Sequence, residues 1–439
     1  MTQKEKICVV GLGYVGLPTA ALFATHGYEV VGVDIDHGVV GLVNGAGVHG
    51  REPGLRTLVR AAVKSQHLSA QVFPEEADVF IIAVPTPSTA DKRADLSAVI
   101  AATEAVVPCL RSGDMIILES TVPPGTTAAV VVPIVERSGL KAGRDLHIVH
   151  APERVLPGRI LIELVQNDRV IGGIDRVSAE RARDLYRRFV TGQIYLTDAT
   201  TAELVKLMEN TYRDVNIALA NSFAKIGDLL GLDIWDAIEL ANRHPRVSIL
   251  RPGPGVGGHC VAVDPWFIVE KASPESQLIT TARMINDSMP TYVARSILGL
   301  LNGLPDPQVA VLGAAYKANV DDTRGSPALR IVELLAEQGC HVRVHDPHVY
   351  PNVDLMDAVQ GTDCLALLVN HQEYTELNPW TLGEVMRHRV AFDAQNHLPY
   401  NLWQAAGFQV KKLGHGRDSS EESIANWMRW SERTAFQER

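Results

Sequence analysis

Residues 7–16 read ICVVGLGYVG, and this stretch decides the fold of the first part of the chain. The apolar run is typical of a buried strand, and the G-x-G-x-x-G pattern of Gly11, Gly13 and Gly16 then opens a helix. Glycines at these positions permit a tight turn and a close approach of the backbone to a pyrophosphate, which the positive end of the helix attracts. The stretch predicts a dinucleotide-binding unit; a glycine turn that binds nothing is the alternative.

The strand that follows supports this prediction and indicates which dinucleotide binds. It lies in VVGVDID (30–36) and ends at Asp34, where a carboxylate can accept hydrogen bonds from a ribose 2′-hydroxyl. A carboxylate there would repel a 2′-phosphate, so NAD is favoured over NADP. VPTP (84–87) and STVPPGTT (120–127) end later strands at the same carboxyl edge, where ligands of such sheets bind, although proline turns alone would explain both.

Composition and charge exclude several classes of protein. The 439 residues carry 51 acidic and 41 basic side chains, a formal charge of -10, which disfavours general binding to nucleic acid or to an anionic membrane. No apolar stretch approaches the ~18 residues that span a bilayer, and no signal-peptide pattern is present. The five scattered cysteines have no zinc-site spacing. We therefore expect a cytoplasmic, reduced protein with no metal site.

The order of strand and helix patterns predicts the domain organisation. Strands and helices alternate up to about residue 198 and again from about 306, which is typical of parallel sheets covered by helices. Residues 199–230 contain no proline and space their apolar residues at a helical period, so they predict one long helix suited to a dimer seam. We predict an α/β fold with two Rossmann-like parallel-sheet domains joined by a long central helix and a small helical middle domain. The predicted domains are residues 1–198, 199–304 and 305–439, the last with a polar tail.

A second informative stretch is PGPGVGGHCVAVDP (252–265), which surrounds Cys260. Its glycines remove side chains from the approach to Cys260, as is expected where something must come close to the backbone. His259 is adjacent, but neighbouring side chains of an extended segment point to opposite sides. We therefore leave His259 out of the predicted chemistry.

The long helix and the second sheet domain supply charged candidates. Lys206 and Asn210 share a helix face with Glu203. Such a row of polar residues is usually a solvated stripe or an ion pair. The alternative is functional, because a lysine and an amide together with a thiol can stabilise an oxyanion while a nucleophile attacks a carbonyl. In the second sheet domain, GAAYKA replaces the glycine pattern, so a pyrophosphate could not lie as close. Lys317 and Arg324 could hold another phosphate there, or be solvated surface charges.

Eight motifs occur in order between about residues 5 and 400. They are GLGYVGLPTA (11–20), AVPTP (83–87), LESTVPPGTT (118–127), PERVLPG (152–158), NDRVIGG (167–173), NTYRDVNIALAN (210–221), the block from ANRHPR to PWFIV (241–269) and DDTRGSPA (321–328). Together they resemble the UDP-glucose/GDP-mannose dehydrogenase family, and the cysteine block is the most specific of them. The resemblance implies an NAD-binding first domain, a central dimerisation domain and a UDP-sugar-binding last domain.

The resemblance also implies an activity, because members of this family oxidise the C6 hydroxyl of a nucleotide sugar to a carboxylate with two NAD+ in succession. It implies that Cys260 captures the intermediate aldehyde as a thiohemiacetal, which becomes a thioester and is hydrolysed. Lys206 and Asn210 are expected to stabilise the alkoxide and oxyanion. The groups expected to position water and manage protons are Thr121, Glu153 and Asp264.

The resemblance assigns further binding residues by motif. The cofactor-binding residues would be Gly11, Gly13, Tyr14, Val15, Gly16, Asp34, Pro85, Thr86 and Thr121. The substrate-binding residues would be Glu153, Arg154, Val155, Lys206, Asn210, Arg213, Arg246, Gly257, Lys317 and Arg324, and Arg246 could come from a neighbouring subunit.

The expected substrate is a UDP-N-acetylhexosamine, because GGHC and PERVLPG resemble enzymes that act on N-acetylated sugars. The manno epimer is favoured, the gluco epimer is the main alternative, and UDP-glucose is a further one. A single-step NAD-dependent hydroxy-acid dehydrogenase would leave Cys260 and the second sheet domain without a purpose. A nucleotide-sensing scaffold would predict the loss of some of Lys206, Asn210, Cys260 and Asp264, yet all four are present. The implied pathway is the synthesis of a surface polysaccharide.

Overall fold

The computed structural model describes residues 5–49 and 52–416, so the rest of the predicted polar tail lies outside the described residues. The chain divides into two compact units. The break falls between Asn210 and Thr211, inside the predicted long helix, and Trp266–Ser276 belongs to the first unit. The division into three domains at residues 198 and 304 stays a prediction.

The first unit is built on an eight-stranded sheet. Its strands are β1 (Lys6–Val10), β2 (Glu29–Val33), β3 (Leu68–Gln71), β4 (Val79–Ile82), β5 (Met115–Leu118), β6 (His147–His150), β7 (Arg169–Gly173) and β8 (Ile194–Asp198).

The strand order is β3-β2-β1-β4-β5-β6-β7-β8, and every pair except β6 with β7 is parallel. The order reverses between β1 and β4, and ligands of open parallel sheets bind in the crevice at such a reversal. Every residue of β4 and β5 is buried, as continuous apolar strands between two helical layers must be. The sheet thus places the glycine turn after β1 at the position where a nucleotide is expected.

Two strands, β7 and β8, differ from the predicted parallel arrangement, because they run parallel to each other and opposite to β1–β6. β7 runs antiparallel to β6, with His150 paired to Gly172. An antiparallel pair needs no crossover, so the connection between these strands stays at the edge where β6 ends. That edge therefore carries the PERVLPG segment (152–158).

Helices cover both faces of this sheet, as predicted. Alternate residues of β1 enter different apolar clusters: Ile7 and Val9 pack in one, and Cys8 and Val10 in the other. The helices are α1 (Gly16–Thr25), α2 (His37–Asn44), α3 (Leu55–Lys64), α4 (Ser97–Val106), α5 (Val132–Val135), α6 (Ile160–Gln166) and α7 (Arg176–Tyr186).

The middle of the chain is helical, and its first helix has the predicted bounds. This helix is α8 (Ala199–Leu230), whose 32 residues extend ~48 Å at 1.5 Å per residue. It is followed by α9 (Ile234–Ala241), α10 (Asp264–Lys271) and α11 (Gln277–Leu300).

The second unit contains a five-stranded parallel sheet in addition to most of these helices. Its strands are β9 (Gln308–Leu312), β10 (His341–His345), β11 (Cys364–Leu367), β12 (Val390–Asp393) and β13 (Gln409–Lys412), and its remaining helices are α12 (Pro327–Glu337), α13 (Leu355–Val359), α14 (Pro379–Val385) and α15 (Tyr400–Ala405). The strand order β10-β9-β11-β12-β13 reverses between β9 and β11, which repeats the plan of the first sheet. None of the helices named here combines the length and apolar composition needed to cross a bilayer.

Candidate active site

The glycine turn after β1 fits a pyrophosphate. A Cβ at Gly11, whose φ is +93°, would lie 2.7 Å from the Ala83 carbonyl oxygen, and a Cβ at Gly16 would lie 1.8 Å from the Gly11 oxygen. Neither position accepts a side chain without moving the backbone. At Gly13, by contrast, nothing lies within 4 Å of the Cβ position. The turn is therefore closely packed at Gly11 and Gly16 and open at Gly13. It lies at the N-terminus of α1, where the helix dipole favours an anion. Two further predicted cofactor residues, Tyr14 and Val15, lie in this turn.

Asp34 stands beside the glycine turn, directly after β2. Its Oδ2 accepts the Leu12 amide at 2.9 Å, and its Oδ1 accepts the Asp36 amide at 3.0 Å. An ionised carboxylate has about four acceptor sites, so these two bonds leave capacity for ribose hydroxyls. The side chain is thus oriented by the turn and retains acceptor sites for a ligand.

Replacing Asp34 with alanine is expected to lower the preference for NAD over NADP by about tenfold, because the carboxylate that binds the 2′-hydroxyl and repels a 2′-phosphate is lost. The ratio of the two kcat/KM values measures the effect. Asp36→Ala is the matched control, since it removes an equal charge two residues away whose role is to cap α2 through the Gly38 amide. An unchanged ratio in Asp34→Ala would mean that another group reads the ribose.

Hydrogen bonds join the ends of β4 and β5. The Thr86 hydroxyl donates to the Thr121 carbonyl at 2.6 Å, and the Ser120 hydroxyl donates to the Val84 carbonyl at 2.7 Å. These bonds place Thr86 and Thr121 together at the carboxyl edge, with Pro85 exposed beside them. Both predicted cofactor segments therefore lie at the edge that carries the glycine turn.

Lys206 and Glu153 form an ion pair in the first unit. Their Nζ and Oε1 atoms are 2.9 Å apart, and the two side chains are only 7% and 13% exposed. Glu153 also accepts the Val155 amide at 2.8 Å, which fixes its second oxygen. Burying two charges costs free energy that their attraction repays only in part, so such a pair is typical of functional sites rather than of stabilising ones.

Arg154 joins the PERVLPG segment to α8. The Arg154 guanidinium pairs with Glu209 at 2.5 Å and donates to the Asp168 carbonyl at 2.7 Å. Asn210, one turn beyond Lys206 on α8, is half-buried. The structure thus brings Lys206 and Glu153 together, and it engages Arg154 in contacts within the protein.

One buried group near these residues, His150, was not predicted, and a second, Glu203, was predicted only as a neighbour of Lys206 on the helix face. His150 ends β6, and burial together with the Lys206 ammonium lowers its pKa to about 3, so it is a neutral imidazole. Glu203 accepts the Thr127 amide at 2.7 Å and holds the STVPPGTT loop, so it does not share the role of Lys206 on the helix face. The sequence signal for His150 was its place at the end of a buried strand, directly before APERVLPG.

In the second unit, the glycines before Cys260 pack against the chain itself. A Cβ at Gly257 would lie 2.7 Å from Pro327 Cδ, and one at Gly258, whose φ is +81°, would lie 3.0 Å from the Tyr316 ring. This packing is a second reason for glycine at these two positions, and the sequence interpretation that they clear the approach to Cys260 for a ligand stays a prediction. Both glycines are required by the loop that follows β9.

Buried amide side chains anchor the start of the glycine loop. The Asn221 Oδ1 accepts the Gly253 amide at 2.9 Å, and the Asn221 Nδ2 donates to Asn286 at 2.9 Å. Asn286 donates in turn to the Asp214 carboxylate at 2.8 Å, which also pairs with the buried Arg283. This relay between α8 and α11 fixes the loop that carries Cys260.

Cys260 lies in a bend, and its side chain contacts that of His259. The His259 Nδ1 is 3.0 Å from the Cys260 Sγ. The prediction that these neighbours point apart is therefore wrong, because it assumed an extended backbone. The Cys260 carbonyl accepts the amides of Val263 and Asp264, at 2.9 and 2.8 Å, as the chain turns into α10. Asp264 itself is buried at the start of that helix.

Cys260 differs from the other cysteines in its surroundings. Cys8, Cys340 and Cys364 are buried, and burial raises the pKa of Cys8 and of Cys364 to about 12. Cys109 is partly exposed, but burial also raises its pKa. Because the thiolate is the reactive form, these four are poor nucleophiles.

The predicted phosphate-binding cations lie in the same unit. Burial and the nearby Arg213 charge both lower the pKa of Lys317, so the structure brings these two cations together. Arg324 is paired with Asp322 through two nitrogens, at 3.0 and 2.6 Å, and remains 63% exposed. Arg246 is exposed in the segment after α9.

The described residues include one group with metal-ligand atoms close together: His348, His371 and Glu373. Both ring nitrogens of His371 are already engaged, since Nδ1 accepts the Asn319 amide at 2.9 Å and Nε2 donates to Asp346 at 3.0 Å. A ring nitrogen that carries a proton cannot ligate a metal. We therefore assign this group a structural role.

The two Rossmann-like sheets, the glycine turn with Asp34 and the thiol-bearing loop define a nucleotide-binding oxidoreductase. The chain belongs to the UDP-glucose/GDP-mannose dehydrogenase family. The NAD binding domain of that family matches residues 5–190, its central domain matches 200–288, and its UDP binding domain matches 310–399. The predicted family and the NAD cofactor are thereby confirmed.

One relative and two solved structures of similar sequence are named for the same substrate. The chain is 49% identical over 425 residues, 94% of this chain and 97% of the relative, to a UDP-N-acetyl-D-mannosamine dehydrogenase of Methanococcus maripaludis. It superimposes on a UDP-D-ManNAc dehydrogenase of Pyrococcus horikoshii with a TM-score of 0.90 and 42% identity, covering 94% of this chain and 100% of that one. For a UDP-N-acetyl-mannosamine dehydrogenase of Staphylococcus aureus the TM-score is 0.87 and the identity 44%, with 94% and 99% covered.

Proposed function

We propose that the protein oxidises the C6 hydroxyl of UDP-N-acetyl-D-mannosamine to the carboxylate. The net reaction consumes one sugar, two NAD+ and one water, and yields the uronate, two NADH and three protons. The observation that carries the proposal is Cys260, a partly exposed thiol in an anchored glycine loop of a chain that contains all three family domains. The names of the similar proteins support the choice of sugar.

The chain's own residues would act as follows. NAD+, when bound at the glycine turn, accepts a hydride from C6 in each of the two oxidations. The Cys260 sulfur adds to the aldehyde carbon and forms a thiohemiacetal, which the second oxidation converts to a thioester. Water then displaces the sulfur, so that the carboxylate leaves and the thiol is regenerated.

The remaining roles are proposals by motif. The Lys206 ammonium and the Asn210 amide would stabilise the oxygen of C6 when it carries negative charge, as positioned donors do. Glu153, which already holds the Lys206 ammonium, would position water together with Thr121 and Asp264. The UDP phosphates and sugar would be bound by Arg213, Lys317, Arg324, Arg154, Val155, Gly257 and, from a second subunit, Arg246.

The test is the number of NADH molecules formed per sugar consumed, measured in parallel with UDP-N-acetylmannosamine, UDP-N-acetylglucosamine and UDP-glucose. We expect two NADH with the manno sugar and little turnover of the others. One NADH per sugar would contradict the thioester route and favour a single-step dehydrogenase. Two NADH with the gluco sugar alone would contradict the epimer assignment.

We also propose that the protein is a homodimer through α8. Three exposed apolar residues, Tyr212, Leu219 and Ile226, recur at intervals of seven, and Leu230 extends the same stripe. Apolar residues at heptad spacing form the seam between packed helices, and a two-fold axis lets one stripe pair with its copy. A second copy is therefore the occupant that this face fits.

Replacing both Leu219 and Ile226 with glutamate is expected to convert the dimer to a monomer, because four carboxylates would face one another across the seam. Sedimentation velocity measures the mass. Leu402→Glu is the matched control, since Leu402 is similarly exposed on α15. A wild-type protein that sediments at the mass of one chain would contradict the proposal.

Two further predictions are retained as proposals. A reducing compartment, the cytoplasm, suits a protein in which none of the five cysteines forms a disulfide, and cell fractionation would test this. The functional domains are proposed to be residues 1–198, 199–304 and 305–439. Limited proteolysis would test the second boundary, with cleavage expected near residue 304 before any cut within either sheet.

A further inference from the structure

We propose that His259 holds the proton of the Cys260 thiol, so that the nucleophile stands as a thiolate beside an imidazolium. This inference rests on the proposed function in so far as Cys260 is the nucleophile. It adds a positioning residue that acts on the substrate only through that sulfur. The contact that carries it is the 3.0 Å separation of His259 Nδ1 and Cys260 Sγ.

The backbone around the pair explains why two neighbouring side chains meet. Residues 258–260 form a bend, and 261–263 form a turn that leads into α10, so the alternation of an extended chain does not apply. The Gly258 amide donates to the Arg324 carbonyl at 3.1 Å, and the Tyr316 ring covers Gly258. The bend is thus held by the loop after β9 and does not depend on the two side chains.

The charges around the pair favour the ionised form of both partners. A carboxylate near an imidazole stabilises the imidazolium, and a guanidinium near a thiol stabilises the thiolate. Asp322 interacts electrostatically with His259. Burial alone would raise the pKa of the Asp322 carboxyl, but the hydrogen bond from Arg324 and the charges of Arg324 and His259 outweigh burial and lower this pKa. Asp322 pairing raises the pKa of Arg324, as do the charges of Tyr316 and Cys260.

Asp322 therefore interacts with His259 and Arg324 with Cys260, while Asp322 and Arg324 pair with each other. In the loop after β9, Tyr316, Asp322 and Arg324 interact electrostatically with the pair, and Lys317 is a further charged residue of that loop. The titratable residues of the cysteine segment itself are His259, Cys260 and Asp264.

The proton transfer is balanced within the pair. The S–H bond breaks, its electron pair stays on sulfur, and the proton binds Nδ1, whose ring already carries a proton on Nε2. No oxidant or further reactant is needed. A thiol without such a partner has a pKa near ~8.5 and is only a few per cent ionised at neutral pH, whereas paired thiols are ionised at ~3.5–7.5.

The test is the rate of carboxamidomethylation of Cys260 by iodoacetamide between pH 5 and 10, measured on the whole protein by mass spectrometry. We expect the wild-type rate to rise with a midpoint below about pH 7. In His259→Asn the midpoint should move to about 8.5, and the rate at pH 6.5 should fall about fivefold, after allowance for the higher intrinsic reactivity of the more basic thiolate. At pH 9.5 the variant should react no more slowly than the wild type.

The controls separate this effect from loss of fold. His259→Gln should show the same shift as His259→Asn, because neither amide accepts a proton. His341→Asn removes an exposed histidine at the start of β10 and should leave the profile unchanged. Cys260→Ser provides the background from Cys109, the other partly exposed cysteine.

The outcomes distinguish this inference from the proposed function. Superimposable profiles of wild type and His259→Asn, or a wild-type midpoint near 8.5, would overturn the pair even if the protein forms two NADH per sugar. A profile that depends on His259 would support the pair even if the protein proves inactive on every UDP-sugar, because alkylation needs no substrate.

Discussion

Cys260→Ala is expected to lower the rate of uronate formation by at least about 10³-fold, because the thiol is the group on which the aldehyde is held for the second oxidation. NAD binding should not change, because the thiol acts only after the cofactor has bound. Uronate is measured by chromatography, and the NAD dissociation constant by quenching of intrinsic fluorescence.

The matched control is Cys109→Ala, which removes the other partly exposed thiol and should leave the rate within about twofold. Cys260→Ser is informative as well, because a hydroxyl of similar size is a far weaker nucleophile at neutral pH. Uronate formation by Cys260→Ala at the wild-type rate would rule out the covalent route while leaving the family membership intact.

Lys206→Met is expected to reduce kcat by about 10²–10³-fold, the usual cost of removing one donor that stabilises negative charge on a reacting oxygen. A second effect follows from the ion pair, because Glu153 is left as a largely buried carboxylate without its cation. The free energy of unfolding should fall by about 3 kcal/mol, as is typical when one partner of a buried pair is removed. Urea denaturation measures this loss.

A double variant separates the two effects. Lys206→Met combined with Glu153→Gln removes both charges, so part of the lost stability should return while the rate should not. Lys225→Met is the matched control on the same helix, where the lysine donates to Ser288 at 2.8 Å. If the double variant recovered activity together with stability, Lys206 would be a structural residue and its proposed role would fail.

The elements that sequence reasoning placed well are those whose signals are local. The runs VFII and MIIL are fully buried central strands, and Ala199–Leu230 forms one helix because nothing in it interrupts the helical period. The acid after β2 was also predictable, since the ribose-binding carboxylate lies at a known distance from the glycine turn.

The features that were missed depend on distant parts of the chain. β3 reads LSAQ and buries only alternate residues, so its sequence carries little strand signal. The direction of β7 is set by the path of its connection rather than by its composition. The neighbours of Gly257 are Tyr316, Gly325 and Pro327, which lie about sixty to seventy residues further along the chain. No local sequence pattern predicts a contact between such distant residues.

Each sheet has an aspartate at the equivalent position, but the two aspartates differ in how many hydrogen bonds they already accept. This difference has a consequence for inhibitor design. Asp346 follows β10 as Asp34 follows β2, and it too accepts amides from the turn after the first strand of its sheet, those of Ala314 and Ala315 at 2.7 and 2.9 Å. Asp346 also accepts bonds from His348, Val349 and His371, which leave little acceptor capacity on its two oxygens. An adenosine mimic whose ribose hydroxyls donate to a carboxylate should therefore bind at Asp34 of the first sheet and not at Asp346 of the second. Such a compound would compete with the dinucleotide and leave the sugar nucleotide in place, so the two halves of the protein are separate targets for medicinal chemistry.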